Sequence, residues 1–569
     1  MLERFSSKVR KIFRRRSRYE GADIAPDEIF LDSSNLPDFD MSQFEGRFEK
    51  PIATRALRLL GFFFVLLALA YASRLWFLQI RSGDLYAKMS EENSDKSTVL
   101  FASRGIIYDR NGVELAWNDL NPDDVFPLRK YTTDPGFAHV LGYVTYPGKD
   151  KQGNFYEDTY QPVGGIEKSE DGTLRGTNGE QIVEEDALGE DQGGAKTDEP
   201  RDGGNVKLSI DSKVESEVYN AIAQTAHDYG FTGGAAIIMD VHTGEILAYT
   251  SFPEFDLNTM TNGTNEEKVA QIQAPETPFL DRVSSGLYTP GSIVKPYMSM
   301  AALTEHTIDP NKIIYTTGSL KIPNPYNPGQ YSVFNDWKNL GPLDMRHAIA
   351  MSSDVYFYEV GGGFGDQKGL GIANIDKYMA MFGFGQKTGF QFSNEKEGVV
   401  PSIEWKKKTF GEDWLLGDTY HSSIGQYGWL VTPLQVVRAV ASVANGGTLH
   451  TPTLLLNDPN EAANDKHLDL NPDYFEIVRE GMRLGVQEGV ATALNTPAVK
   501  IAAKTGTAEL GITKDYVNSW VTGFFPYDNP HYAFAIVMEH GSRYNLIGAS
   551  FVMRQIIDWM AANTPQYLQ

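Results

Sequence analysis

Ser292 and Lys295 lie three residues apart in YTPGSIVKPYMSMAAL (288–303). Pro290-Gly291 is a turn signal, Ser292 can begin a helix, and Lys295 falls one turn along the same face. That spacing lets the lysine amine reach the serine hydroxyl. A serine hydroxyl is a weak nucleophile until a base takes its proton. A desolvated lysine among other cations can lose enough basicity to be that base. A helix N-terminus also offers free backbone N–H groups to an oxyanion. The spacing alone is a weak signal, because Ser393 and Lys396 repeat it inside a polar loop. Lys504-Thr505-Gly506 follows the strand-like VKIAA, whereas the same triplet at Lys387-Thr388-Gly389 sits among glycines. Taken singly, Ser292 also reads as a helix cap, Ser352 as a buried helix serine and Lys504 as a surface strand lysine.

The order of three pieces is far more specific. Ser292xxLys295 comes first, Ser352-Ser353-Asp354 follows in AIAMSSDVYFYEV, and Lys504-Thr505-Gly506-Thr507 comes third. This SxxK, Sx[N/D], KTG order resembles the serine transpeptidases of the penicillin-binding protein and β-lactamase superfamily. The resemblance spans residues 75–569. RGIIYDRNGVELA, GGIE…LRG, TGEILA (243–248), SSIGQYGWLVTPLQ (422–435) and SWVTGFFP (519–526) are similar to class B penicillin-binding proteins. GSIVKPY, DWKNLG (336–341) and PSIEWKKKTFGEDWLLGDT (401–419) resemble the elongation-type penicillin-binding protein 2.

The resemblance implies a peptidoglycan D,D-transpeptidase that binds β-lactams covalently and works in elongation and shape maintenance. Ser292 would attack the penultimate D-alanine carbonyl of a stem peptide, and Lys295 would take its proton. Ser352, with Lys504, would relay a proton to the departing D-alanine amine. Backbone N–H groups of Ser292 and Thr507 would form the oxyanion hole. Thr505, Gly506 and Thr507, with Lys504, would hold the terminal carboxylate, and an amine of a neighbouring stem peptide would then resolve the acyl-enzyme. Asp354 stands where many relatives have Asn; a carboxylate accepts hydrogen bonds only, so it cannot donate to a substrate carbonyl. The glutamine loop reads GQYGW where GQG is usual. Only about 25 residues separate RGIIYDRNG from AHVLGYV, which implies a trimmed pedestal. Implied partners are stem peptides and lipid-linked glycan strands, β-lactams, and a SEDS-type (RodA-like) glycosyltransferase of the elongation machinery. Two other activities remain open: a D,D-carboxypeptidase or β-lactam hydrolase, and a non-catalytic activator of a SEDS-type polymerase. No ExxLN-type element lies between the second and third motifs, which disfavours hydrolysis.

These motifs need a scaffold. From Val206 the chain reads as strand (VKLSID), amphipathic helix (SKVESEVYNAIAQTAHDYG) and a strand pair around His242-Thr243-Gly244. It ends with a hairpin (VNSWVTGFFPYDNPHYAFAIVMEHG) and a closing helix (ASFVMRQIIDWMAAN). The expected fold is α+β, a transpeptidase/β-lactamase-like antiparallel sheet flanked by helices over 205–569. Residues 81–204 are expected as a small β-rich pedestal with an Asn111-Gly112 hairpin turn. Within it, 184–204 (EEDALGEDQGGAKTDEPRDGG) reads as a flexible acidic loop. The glycine-rich GFGQKT (383–388) and GGGFGDQKG (361–369) read as turns, since neither fits a phosphate-binding loop.

Leu59–Ile80 is long and apolar enough to cross a membrane, with Arg74 near one end. The 58 residues before it are too many for the leader of a cleaved signal peptide. Lys50, Arg55 and Arg58 on its N-terminal side place 1–58 in the cytoplasm and 81–569 outside. The basic run in 1–18 reads either as a solvated tail or as a contact for anionic lipid headgroups, and 20–49 as a disordered acidic stretch. The net charge of −23 excludes a bulk nucleic-acid binder. The absence of cysteine excludes disulfides, thiolate metal sites and a cysteine nucleophile, so no metal or cofactor is expected.

Overall fold

The computed structural model describes residues 53–86, 88, 95–120, 125–151, 155–184, 196–324, 327, 329–458 and 465–569. The expected cytoplasmic tail falls, through residue 52, outside them, as does the 185–195 part of the acidic stretch. The chain divides into two compact units, Met1–Asn93 and Ser94–Gln569.

The first unit contains helix α1, Thr54–Trp76, which continues as a π-helical turn over Phe77–Arg81. Together they make a 28-residue apolar span with none of its core window buried. At 1.5 Å per residue this is about 40 Å, longer than the ~30 Å hydrocarbon core. The helix starts five residues before the expected Leu59, because the arginine-bearing first turn is itself a good helix former. Arg74 and Arg81 lie 5.8 and 5.7 Å from the Phe77 ring centroid, at the polar end of the span.

In the second unit, helix α2 (Ser212–Tyr229) begins at Asp211, whose side chain accepts from the Lys213 and Val214 N–H groups. It ends at Gly230 in the left-handed region. Strands β1 (Gly233–Asp240) and β2 (Ile246–Phe252) form the hairpin anticipated around His242–Gly244. Helix α3 spans Lys295–Thr304, α4 Met345–Met351, α5 Asp354–Gly362, α6 Leu416–Ser423, α7 Pro433–Ala444 and α8 Pro472–Gln487. Strands β3 (Ala502–Leu510), β4 (Tyr516–Phe525) and β5 (Tyr532–Ser542) precede the closing helix α9 (Ala549–Asn563).

The five strands form one antiparallel sheet in the order β2-β1-β5-β4-β3. Side-chain alternation divides its apolar residues between two cores. Ala235, Ile237, Met239, Ala535 and Val537 join the core that contains α3, α4, α7 and α8. Ala236, Ile238, Phe534, Ile536 and Met538 join Val218 and Ile222 of α2 and Val552 and Ile556 of α9. With both faces covered, the central strands read as unbroken apolar runs rather than alternating ones. Each such aliphatic side chain contributes about 1.5–3 kcal/mol on burial. Every residue of α7 is buried, as expected for a helix apolar all round.

Residues 95–208 contribute two larger sheets besides the short pair Tyr143–Thr145 with Gln161–Val163. One has Leu128–Tyr131, Glu114–Asp119, Ile107–Tyr108 and Val206–Lys207 in that order. Its Asn111-Gly112 turn is the expected one, with Gly112 at φ 87°. The other joins Asp95–Leu100, Gly179–Glu184 and Lys196–Asp198. The described end of the acidic stretch is therefore not free loop: Lys196–Asp198 pairs with Gln181 and its neighbours, and Arg201 bridges Thr177. Backbone pairing overrides its poor apolar content.

Sequence-distant motif residues meet in this region. Arg104 and Arg129, both fully buried, converge on buried Glu167 of GGIE. Arg129 Nε lies 2.7 Å from Glu167 Oε1, and Arg104 Nη1 lies 2.7 Å from Asp171. Asp109 accepts from the N–H groups of Asn111 and Val113 and from the Ser212 hydroxyl. Asn111 donates to Asp211, which also accepts from Tyr567 near the C-terminus. The first hairpin, the start of α2 and the chain end are thus tied in one network.

Removing Glu167 leaves the buried Arg129 guanidinium without a carboxylate and Arg104 with Asp171 alone. Glu167→Ala is expected to cost about 3–5 kcal/mol in urea unfolding of the full chain in detergent. A second expectation concerns pH. Glu254 accepts from the N–H groups of Gly136 (2.6 Å) and Ala138 (2.9 Å). Glu215 accepts from Tyr249 N–H (2.6 Å) and Thr250 Oγ1 (2.7 Å). Burial pushes Glu215 up to about 8 and Glu254 to about 7, against the pull of those donors. The folded state then holds protons that the unfolded state has released, so stability falls as pH rises from about 4.5 to 8. The thermal midpoint should drop over that window, and Glu254→Gln should flatten its lower part.

Candidate active site

The turn that carries Ser292 is a 3-10 turn, Gly291–Val294, running into α3. Gly291 has φ 57° and donates its N–H to Gly425 O at 3.0 Å. Gly425, also left-handed, lies so close that a Cβ there would come 2.1 Å from Gly291 O. The GQYGW loop therefore forms the bed of the turn that carries Ser292. Thr289 is gripped from two sides: Trp520 Nε1 donates to its carbonyl (3.0 Å), and its hydroxyl donates to Trp429 O (3.3 Å). Ser292 is half-buried, and Lys295, one turn along, is fully buried.

Ser352 lies between α4 and α5 with φ 57°, an αL position uncommon for a residue with a side chain. Two contacts from DWKNLG hold it there. Asp336 accepts from Ser353 Oγ (2.7 Å) and from Val355 N–H (3.0 Å). Trp337 Nε1 donates to Met351 O (3.1 Å). Lys295 Nζ reaches across to Ser352 O (2.8 Å), Ser352 Oγ (3.3 Å) and Asp354 Oδ1 (2.6 Å). Asp354, singled out as a substrate contact, thus has one carboxylate oxygen committed to Lys295.

The third motif lies on β3, the edge of the sheet, where Lys504 pairs with Thr522 and Gly506 with Trp520. An edge strand keeps one row of backbone donors and acceptors unpaired, ready for an extended peptide. Lys504 and Gly506 share one face of the strand, Thr505 and Thr507 the other. Gly506 meets the Ser292 turn: a Cβ there would lie 2.7 Å from Pro290 O and 3.0 Å from Ile293. Thr507 is exposed and Thr505 half-buried. Lys504 is buried, and its Nζ donates to Thr505 O at 2.9 Å. Burial, and then the neighbouring Lys295 charge, hold its amine well below the usual lysine range. The structure thus brings Ser292, Lys295, Ser352, Asp354 and Lys504 to one cleft between helices α3 to α5 and the edge strand β3.

The look-alike motifs go elsewhere. Ser393 donates to Ser284 Oγ, and Thr388 N–H is held by Glu395. The supporting residues Asp336, Trp337, Thr289 and Gly425 were not singled out as site residues; only the family resemblance of their segments marked them. Among the described residues, no group of three or more metal-ligating side chains occurs.

Residues 234–558 match the family description "Penicillin binding protein transpeptidase domain", and residues 124–208 match "Penicillin-binding Protein dimerisation domain". The chain belongs to the penicillin-binding protein transpeptidase family. Among named relatives, it is 28% identical to the peptidoglycan D,D-transpeptidase MrdA of Salmonella typhimurium, over 85% of this chain and 92% of that one. Among solved structures, it resembles penicillin-binding protein PBP2 of Helicobacter pylori in complex with MreC (TM-score 0.69, 27% identity, 83% of this chain and 99% of that one). It also resembles Pseudomonas aeruginosa PBP2 in complex with WCK 5153 (TM-score 0.67, 28% identity, 83% and 98%).

The approach of Gly506 to Pro290 leaves no room for a methyl group. Gly506→Ala should therefore slow acylation by a fluorescent penicillin at least tenfold while the thermal midpoint shifts by only a few degrees.

Proposed function

We propose that this chain is a membrane-anchored peptidoglycan D,D-transpeptidase of cell elongation, with Ser292 as its nucleophile. The convergence of the Ser292 turn, two buried lysines and Ser352 beside an open sheet edge carries this reading. A stem peptide ending in D-Ala-D-Ala adds to β3 as an extra strand, with its terminal carboxylate held by Lys504, Thr505 and Thr507. Ser292 attacks the penultimate carbonyl, and the backbone N–H groups of Ser292 and Thr507 receive the oxyanion. One such donor contributes on the order of 10²–10³ in rate. The buried amines and Ser352 carry the proton from Ser292 to the departing D-alanine. A second stem peptide then supplies the amine that closes the crosslink.

The apolar span Thr54–Arg81, with Arg55 and Arg58 at its start, anchors the enzyme with its N-terminus in the cytoplasm and Ser94–Gln569 outside. Residues 81–204 serve as the pedestal and 205–569 as the catalytic domain. A SEDS-type glycan polymerase and the elongation machinery are its partners. The complex of the Helicobacter pylori relative with MreC supports this assignment, as does the likeness to a chain from a peptidoglycan synthase complex (TM-score 0.68, 25% identity).

A fluorescent penicillin should label the wild-type chain stably and leave Ser292→Ala unlabelled. With lipid-linked glycan substrates, the products should include crosslinked muropeptide dimers. Free D-alanine with monomers alone would replace this reading with a carboxypeptidase. Absence of label on folded wild type would replace it with a non-catalytic activator.

A further inference from the structure

Neighbouring strands of the sheet each hold the segment that leads into Ser292. Gly506 of β3 lies against Pro290, and Trp520 of β4 donates to the Thr289 carbonyl at 3.0 Å. A further hold comes from β5. Tyr288 donates its hydroxyl to Glu539 Oε1 at 2.6 Å. The Tyr288 ring meets the Trp520 ring edge to face, with centroids 5.9 Å apart. The Tyr288 backbone exchanges two hydrogen bonds of 2.9 Å with Val431, just past the GQYGW loop. Tyr288 thus joins the sheet to the loop beneath the Ser292 turn, four residues before Ser292 itself.

The carboxyl group that receives Tyr288 is itself fixed. Arg282 Nε donates to Glu539 Oε2 at 2.7 Å, and both side chains are largely buried. Arg282 Nη1 donates to the Thr277 carbonyl (3.2 Å), and Nη2 to the Glu276 carbonyl (3.1 Å) and Thr277 Oγ1 (3.0 Å). A planar guanidinium bound at all three nitrogens cannot turn, so it sets the orientation of the Glu539 carboxyl group. A Cβ at Gly233 would strike both Glu539 and Arg282, so that glycine leaves the space the pair needs. With Oε2 engaged by Arg282, Oε1 is left to Tyr288. Burial, and then the adjacent Glu539, hold the Tyr288 phenol well above its usual range, so the hydroxyl remains a donor. Arg282, Tyr288 and Glu539 line a cavity of 910 Å³, so water can take the place of a lost hydroxyl and spare the fold.

We propose that Tyr288 is a positioning residue for Ser292: held by the Arg282–Glu539 pair, it fixes the Ser292 turn against the edge strand β3. This deepens the transpeptidase reading above and rests on it. Tyr288 reaches Glu539, Trp520 and Val431, and it acts on Ser292 through the turn between them. A substrate carbonyl laid along β3 meets the Ser292 hydroxyl only where the turn places it. A displacement of about 1 Å at a reacting centre can cost on the order of a hundredfold in rate. Without the hydroxyl, the segment keeps its hold from Trp520 and from Gly425 but loses its tie to β5. The turn then samples positions in which Ser292 is off line, and acylation slows although no group in the cleft has changed.

The test is acylation by a fluorescent penicillin, followed to saturation in the full chain in detergent, for wild type and Tyr288→Phe. The variant removes the hydroxyl and keeps a ring against Trp520. Its maximal acylation rate should fall about tenfold, with the half-saturating concentration and the labelled fraction unchanged. An unchanged rate overturns the proposal. So does a lower labelled fraction at the wild-type rate, which a merely structural role would give, and so does a change in half-saturation alone. Glu539→Gln supplies a second variant, because an amide has one acceptor oxygen and cannot accept from Tyr288 and Arg282 together. The two substitutions break one contact, so the double variant should be no slower than the slower single one; additive losses overturn the proposal. Amide hydrogen exchange answers without acylation. Segment 286–292 should exchange faster in Tyr288→Phe while β3 and β4 keep their protection, and unchanged or uniformly faster exchange overturns the proposal. Wild type that takes no penicillin would count against the transpeptidase reading itself, while the exchange result would still decide the role of Tyr288.

Discussion

Everything in the cleft is measured from one close approach, that of Gly506 on the edge strand to Pro290 in the turn that carries Ser292. The strand is rigid because it is paired along its length with β4 in a five-stranded sheet, and it is open because it is the last in that sheet. The turn is rigid because Gly425 lies beneath it and Trp429 and Trp520 grip Thr289. Two stiff bodies meeting through a glycine leave a groove whose width is set by backbone. A strand added along that edge, as proposed for the stem peptide, would find Ser292 already in place, the kind of preorganisation that catalysis rewards.

Charge is the second constraint. Removing lysines from water is expensive, and the structure offsets that cost unevenly. Lys295 receives a carboxylate, a carbonyl and a hydroxyl, whereas Lys504 receives a carbonyl. Burial, and then the neighbouring Lys295 charge, hold the less satisfied Lys504 amine well below the usual lysine range. Ser352 can serve between them because Asp336 and Trp337 hold the backbone on both sides of it in an αL conformation that it would not adopt alone.

The supporting region is built on the same logic of buried charge. Glu167 draws Arg104 and Arg129 together, and Asp109 with Asp211 ties the first hairpin to the start of α2 and to Tyr567 at the chain end. Such networks add little net stability over an apolar core but penalise every arrangement that leaves a charge unpaired. They hold the region before α2 in a defined relation to the sheet that carries the site.

Much of this was legible in the sequence because it depends on near neighbours. The Asn111-Gly112 turn, the glycine end of α2, the hairpins around His242–Gly244 and near the C-terminus, and the apolar span follow from local propensity and from periods of 2 and 3.6 residues. The order of the three motifs marked Ser292, Lys295, Ser352 and Lys504, and the family resemblance supplied their expected roles. Tertiary structure alone decided the rest. The pairing of Lys295 with Asp354, the clamp of Asp336 on Ser353 and the seating of Gly291 on Gly425 join residues far apart in the chain, with no local signature. Lys196–Asp198, read as acidic loop, became a strand because Gly179–Glu184 presented an edge to it. Local sequence specifies which conformations a segment prefers. Which charge a buried lysine meets is specified only when the folded chain has removed both from water.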